Sequence, residues 1–228
     1  MVKTSFSLIT AIRAIVVKDL TDEFRTRHAL TAMVLFSLTT LVTVSFTIGI
    51  YSLDIMLHSA LIWIIIFFSA MSALSRSFTK EEDSGTILAL KMSATAEIIY
   101  LGKLFFNTLL LIVLIAVVLP LYYIMMNPPP GGNVGLLVLI CITASLSLAG
   151  ATTLLAAIVA RAGSKNSLLP VLAFPVLLPI LLTAIRSTGF ALSGGSGEEI
   201  ITDFIFLISY LAIVVTVSLL LIPFVLDD

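Results

Sequence analysis

Long uncharged runs of apolar residues alternate along this chain with short polar clusters. Six of the runs, 29–53, 55–75, 104–126, 134–160, 166–185 and 204–226, are apolar enough and long enough to cross a bilayer. A hydrocarbon core of about 30 Å takes roughly 20 helical residues per crossing. Lipid offers backbone groups no partner outside their own helix or a closed barrel. The pattern therefore predicts an all-α polytopic membrane protein with six transmembrane helices in one domain, 1–228. The uncharged stretch 104–160 is too long for one crossing, and Asn127-Pro128-Pro129-Pro130-Gly131-Gly132-Asn133 divides it with residues that cannot continue a helix, which gives a hairpin.

Ahead of the first run, Leu8, Ile12, Val16, Leu20 and Phe24 recur every four residues, so 5–27 reads as a helix. It fits either a helix lying in the membrane interface or a cytoplasmic helix leading into the first span, within a segment 1–28. Arg13 breaks the apolar run and no small-x-small site follows, so cleavage as a signal peptide is not expected.

Composition agrees with this class. The 228 residues are 60% hydrophobic and 11% charged, with a mean hydropathy of +1.21. A net charge of −1 by itself says nothing about a nucleic-acid partner, and none is expected; the distribution of charge carries the information. Of 12 cations, Lys3, Arg13, Lys18, Arg25 and Arg27 precede span 1; Arg76, Lys80, Lys91 and Lys103 lie between spans 2 and 3; Arg161 and Lys165 follow span 4. Arg186 alone falls on the other side. The positive-inside rule then places both termini in the cytoplasm. The outer connections are the segment ending at Asp54, the proline-glycine hairpin, and 186–203, which reads as a mobile surface loop around Ser193-Gly194-Gly195-Ser196-Gly197.

Few residues suggest chemistry. His58, one turn from Asp54 at the outer end, fits a proton carrier or haem ligand, or simply a hydrogen-bonded interfacial histidine. Met125 and Met126 beside Tyr122 and Tyr123 fit axial ligation or an aromatic belt. His28 reads as interfacial, and Cys141, alone and within an apolar run, as core filler. Gly102-Lys103 lacks the upstream glycine of a phosphate loop, so no ATP site is expected. Catalytic, cofactor-binding and metal-ligating residues are therefore expected to be none. Pro170, Pro175 and Pro179 bend span 5, either to line a pathway or within tight packing. Ser147 with Ala151, and Ala149 with Thr153, let another helix approach span 4.

Charge is densest between spans 2 and 3. After Arg76, Lys80, Glu81, Glu82 and Asp83, a turn is expected at Ser84-Gly85. Thr86 to Met92 then reads as a short amphipathic helix capped by Asp83 or Ser84, displaying Ile87, Leu88 and Leu90. Ser93 to Ala96 interrupts it, and Glu97 opens the helix that continues as span 3. Such an element suits a grip on a soluble partner.

The stretch Phe78-Thr79-Lys80-Glu81-Glu82-Asp83-Ser84-Gly85-Thr86, with Leu88, Leu90, Ser93, Glu97, Gly102 and Lys103, resembles type-2 ABC exporter permeases, whose loop here docks on the ATPase. Ile62-Trp63, Ser72 to Phe78, Gly150-Ala151, Arg161-Ala162-Gly163, the run Leu168 to Pro179 and Pro223-Phe224 resemble the CcmB family more narrowly. That resemblance implies a non-catalytic permease with an ATPase-coupling helix, gripping through Glu81, Glu82, Asp83, Gly85, Thr86, Leu88 and Leu90. Implied partners are a CcmA-like ATPase that binds ATP, a CcmC-like haem-handling membrane protein, a small CcmD-like subunit and a CcmE-like haem chaperone. Haem would be handled by the complex, and haem-loaded chaperone released, or haem exported, at the outer face. Competing expectations are a type-2 exporter homodimer moving a lipid, drug or polysaccharide, and a membrane enzyme or secondary transporter using His58 or Asp54.

Overall fold

The computed structural model describes residues 8–48, 53–161, 169–195 and 197–227, almost all of them helical. The helices are α1 (Leu8–Thr26), α2 (His28–Ile48), α3 (Ile55–Leu74), α4 (Arg76–Asp83), α5 (Ile87–Ser93), α6 (Ala96–Met126), α7 (Val134–Arg161), α8 (Leu169–Leu192) and α9 (Gly197–Asp227). Six helical units, α2, α3 with α4, α6, α7, α8 and α9, are long and apolar enough to cross a membrane. The protein is a multi-pass, all-helical membrane protein. Lys3 and Lys165 lie outside the described residues.

At the centre, α7 packs on α6, α8 and α9. Its Ser147, Ala149, Ala151 and Thr153 are all buried, as their spacing predicts. Hydrogen bonds cross the seams: Ser147 donates to the Leu207 carbonyl at 3.1 Å, Asn107 to the Thr153 hydroxyl at 2.8 Å, and Tyr100 to the Gly150 carbonyl at 3.2 Å. Between lipid-embedded helices such bonds and close packing replace the hydrophobic drive that water supplies elsewhere.

The 31 residues of α6 extend roughly 46 Å, well beyond the hydrocarbon core. Its first turns therefore project from one end of the bundle. There they meet α1 and α5, and through Lys103 the Glu81 of α4, which packs on α7; together these form a charged end.

At the opposite end Asn127 closes α6 in the left-handed region, φ 42°, and the Asn133 side chain accepts the Leu136 N–H at 3.0 Å to cap α7. The Asn133 N–H donates to the Ala191 carbonyl at 2.8 Å, which ties the hairpin to the end of α8.

Helix α8 is longer than expected. It runs to Leu192, and α9 begins at Gly197, so the mobile loop expected over 186–203 contracts to the few residues between them. The reason is a Schellman stop. Gly194, at φ 74°, directs its N–H to the Ala191 carbonyl and the Gly195 N–H to Phe190 at 2.9 Å. Any Cβ at Gly194 would sit 2.8 Å from the Gly131 carbonyl, so glycine serves both the turn and the approach of the hairpin.

Candidate functional site

Span 2 does not end in a loop. After one irregular residue, Ser75, α3 passes into α4, so Arg76 to Asp83 stand on a helical extension. Its stop is a second Schellman motif: Gly85, φ 67°, bonds the Glu82 carbonyl and Thr86 bonds the Glu81 carbonyl, both at 3.0 Å. The expected turn at Ser84-Gly85 is thus present, but as a helix C-cap. The short helix follows at Ile87–Ser93. Thr86 stands at its N-cap, not Asp83 or Ser84, and makes no side-chain cap bond. Instead its hydroxyl donates to Glu81 Oε2 at 2.6 Å. Extended backbone at Ala94 then breaks the chain before α6, with Glu97 in the first turn as expected.

Glu81 is the hub of this end. Lys103 on α6 approaches its Oε1 at 3.1 Å and Asp19 on α1 at 2.9 Å, and the Lys103 side chain is only 4% exposed. Lys18 on α1 reaches the same Glu81 oxygen and stands 3.3 Å from Asp19. The Lys103 ammonium also lies 5.8 Å from the Phe78 ring centre. Outside this group Lys80 pairs with Asp22 at the surface. The balanced set of two ammoniums and two carboxylates joins α1, α4 and α6, and Thr86 extends it to the start of α5.

Burial raises the Glu81 carboxyl, but Lys103 and the hydrogen bonds from Lys18 and Thr86 outweigh it and hold the group down at about 2. Burial lowers Lys18, and its bond to Glu81 with the charge of Asp19 reverses that to a net rise. Each partner keeps the other ionised.

Helix α1 turns an unexpected face inward. Its buried residues are Ile15, Asp19 and Glu23, whereas Leu8 and Phe24 of the apolar stripe are exposed. Asp19 is buried because Lys103 answers it, and Glu23 because it caps α2, which apolar periodicity does not register. Gly102 makes the approach possible: a Cβ there would lie 2.6 Å from Ile15 Cγ2 and 2.8 Å from Ile15 Cβ. At the far end Glu23 Oε1 accepts the Leu30 N–H at 2.9 Å, capping α2 across Arg27, whose φ is 55°.

The predicted grip residues divide. Glu81 is buried, Glu82 half-buried, and Asp83, Gly85 and Thr86 are exposed. On α5, Leu88 is 67% and Met92 89% exposed, while Leu90 and Ile87 are each 7% exposed and pack into the bundle. Ile87 and Leu90, both expected to face outward, therefore hold α5 down, and Met92 joins Leu88 on the free face. Lys18, Asp19, Glu23 and Lys103 escaped the sequence reading. The one signal was Lys103 at the very edge of a long apolar run, where an unpaired ammonium is costly.

Away from this end, Pro170 lies in the first turn of α8 and the helix continues through Pro175 and Pro179. Pro175 is exposed and Pro179 half-buried. Pro175 and Pro179 lack the N–H groups that would bond the Val171 and Pro175 carbonyls; beside them, Tyr210 donates to the Val176 carbonyl at 2.5 Å. His58 is buried, with Nδ1 2.9 Å from the Tyr122 hydroxyl; Trp63 donates to Thr188 at 2.9 Å. Asp54 is exposed ahead of α3. Arg186 and Ser187 both bond the buried carboxylate of Asp203, Ser187 at 2.8 Å. Cys141 is buried.

A helical membrane bundle with a short helix clamped between its second and third spans matches what the charged motif led us to expect. Among protein-family models, CcmB, described as CcmB protein, matches residues 10–227. The chain belongs to the CcmB family. Comparison with curated proteins gives no match. Membership gives this CcmB-family chain an ABC permease role in cytochrome c maturation, not an enzymatic one, in a complex with an ATPase, CcmA, and other Ccm components.

Proposed function

We propose that this chain couples ATP hydrolysis by a CcmA-like subunit to release of haem-loaded CcmE-like chaperone, or to haem export, at the outer face of a bacterial inner membrane. The charged end faces the cytoplasm with both termini, α5 docks on the ATPase, and a CcmC-like protein handles haem beside a small CcmD-like subunit. ATP belongs to the partner, and haem is cargo. The observation that carries this reading is α5 itself: Leu88 and Met92 project, while Glu81 and Thr86 fasten its start to α1 and α6. A displacement of α5 is transmitted through Glu81 to Lys103, and so to the foot of α6. The proline-bearing α8, with Pro170, Pro175 and Pro179, is the element with the weakest helical ladder and the one we assign to bending during the cycle.

Replacing Leu88 and Met92 together by Asp tests the docking. Expected are loss of ATPase co-purification and of c-type cytochrome production, with the permease still inserted and folded. Unchanged co-purification would sink the docking assignment.

A further inference from the structure

A cavity of about 280 Å³ opens at the charged end between α1, the start of α2, α4 and α6. Ala29, Ala73, Phe106 and Leu110 give it apolar lining; its charged lining mixes the carboxylates of Asp19, Glu23 and Glu81 with Lys103, Lys80 and Arg76. Leu110 lies two turns, roughly 10 Å, further along α6 than Lys103. The space therefore runs from the polar end of the bundle towards the membrane interior.

The charges on its wall are unequally answered. Asp19 and Glu81 have Lys103 and Lys18. Glu23 is buried and takes one N–H, from Leu30, but no cation pairs with it among the described residues. Three buried polar atoms on residues that line the cavity, Asn107 Oδ1, the Ser77 hydroxyl and Asp19 Oδ2, have no hydrogen-bond partner, and Asp19 Oδ2 has the Lys103 ammonium at 2.9 Å. A buried carboxylate without a cation and orphaned acceptors beside it are costly unless a donor arrives. Among the described residues no group of His, Cys, Asp and Glu is placed to hold a metal ion. The chemistry required is thus a cation that carries several N–H groups.

We infer that this cavity seats the primary-ammonium headgroup of a phospholipid. The ammonium donates to Glu23 and to the orphaned acceptors, the phosphate lies towards the exposed Arg76 at the rim, and the acyl chains follow Phe106 and Leu110 into the bilayer. The volume sits just below the roughly 300–1,000 Å³ of pockets that enclose drug-sized ligands, which suits a headgroup and leaves the chains in lipid. A quaternary ammonium has no N–H and does not satisfy the wall.

The test is retention of phosphatidylethanolamine against phosphatidylcholine by the full chain in detergent, read by native mass spectrometry after extraction from equimolar vesicles. Wild type is expected to retain the ethanolamine lipid preferentially. Glu23→Gln keeps an acceptor for the Leu30 N–H but removes the charge, and is expected to lower that preference about tenfold, the equivalent of one charge-assisted bond. Ser77→Val, which leaves the α2 cap intact, is expected to lower it in the same direction and serves if Glu23→Gln does not fold. Equal retention of the two lipids by wild type, or an unchanged preference in both folded variants, overturns the site. Displacement of the lipid by free ethanolamine overturns the lipid as its source.

Discussion

Lys103 shows how one buried charge organises several helices. It answers Asp19 and Glu81 from two other elements, and its side chain is almost wholly enclosed. Removing one member of such a set leaves its partners buried and uncompensated, at a cost of about 3–5 kcal/mol. Lys103→Met is therefore expected to lower the melting temperature of the detergent-solubilised protein severely. Lys18→Met, whose side chain is 45% exposed, is expected to cost about 1 kcal/mol or less, as surface pairs do. Similar losses in the two variants would mean that its burial does not set Lys103 apart from Lys18. Glu81 adds a pH dependence. A carboxyl held below its ordinary value stabilises the fold above that value, and the contribution fades as pH falls through the folded one. For Glu81 the window runs from 4.5 down to about 2. Melting curves of wild type and Glu81→Gln should thus keep a constant separation between pH 6 and 8 and converge in acid. With Glu81 held down and Lys18 held up, this pair stays ionised near neutral pH and acts as a fixed clamp and not as a sensor.

For the elements, the decisive contact is α1 against α6. It depends on the missing side chain of Gly102, because the atoms a Cβ would strike belong to the stiff, branched Ile15 and not to the tip of a flexible chain. Gly102→Ala should force α1 away and cost about 1–3 kcal/mol, as overpacking does. Ile15→Ala in the same chain should restore much of it. A double-mutant cycle by thermal unfolding measures this, and strictly additive losses would place the strain elsewhere. The two Schellman stops, at Gly85 and Gly194, are the other local devices that fix how elements meet. Each glycine was visible as a turn signal, but the sequence offered no sign that the preceding helix would extend to reach it. Helices α4 and the end of α8 were consequently read as loops. Their polar residues looked like connections because the partners that satisfy them, Lys103 for Glu81 and Arg186 for Asp203, lie 22 and 17 residues away.

The whole molecule is a membrane bundle with unlike ends, one bristling with charge and one sealed by glycine and proline. Cation asymmetry predicts that the charged end faces the cytoplasm, and single cysteines test that. A cysteine at Ser84 should react with an impermeant thiol reagent only from the cytoplasmic side, and one at Asn127 only from the outer side. Cys141 is buried and leaves little background. The opposite result at both positions would invert the topology and remove α5 from reach of a cytoplasmic ATPase.

Sequence alone determined the six spans, the short helix after Gly85 and the family, because apolar length and turn chemistry act locally along the chain. It also determined that Ser147, Ala149, Ala151 and Thr153 form a packing face, since small residues at helical spacing admit a neighbour wherever that neighbour comes from. Only the tertiary structure decided which face of α1 is buried, that Leu90 points in while Met92 points out, and that Glu81, Asp19, Lys18 and Lys103 form one cluster. Coulomb attraction and hydrogen bonding act through space between residues distant in sequence. A carboxylate on a helix reads as solvent-facing until the ammonium that meets it has been placed.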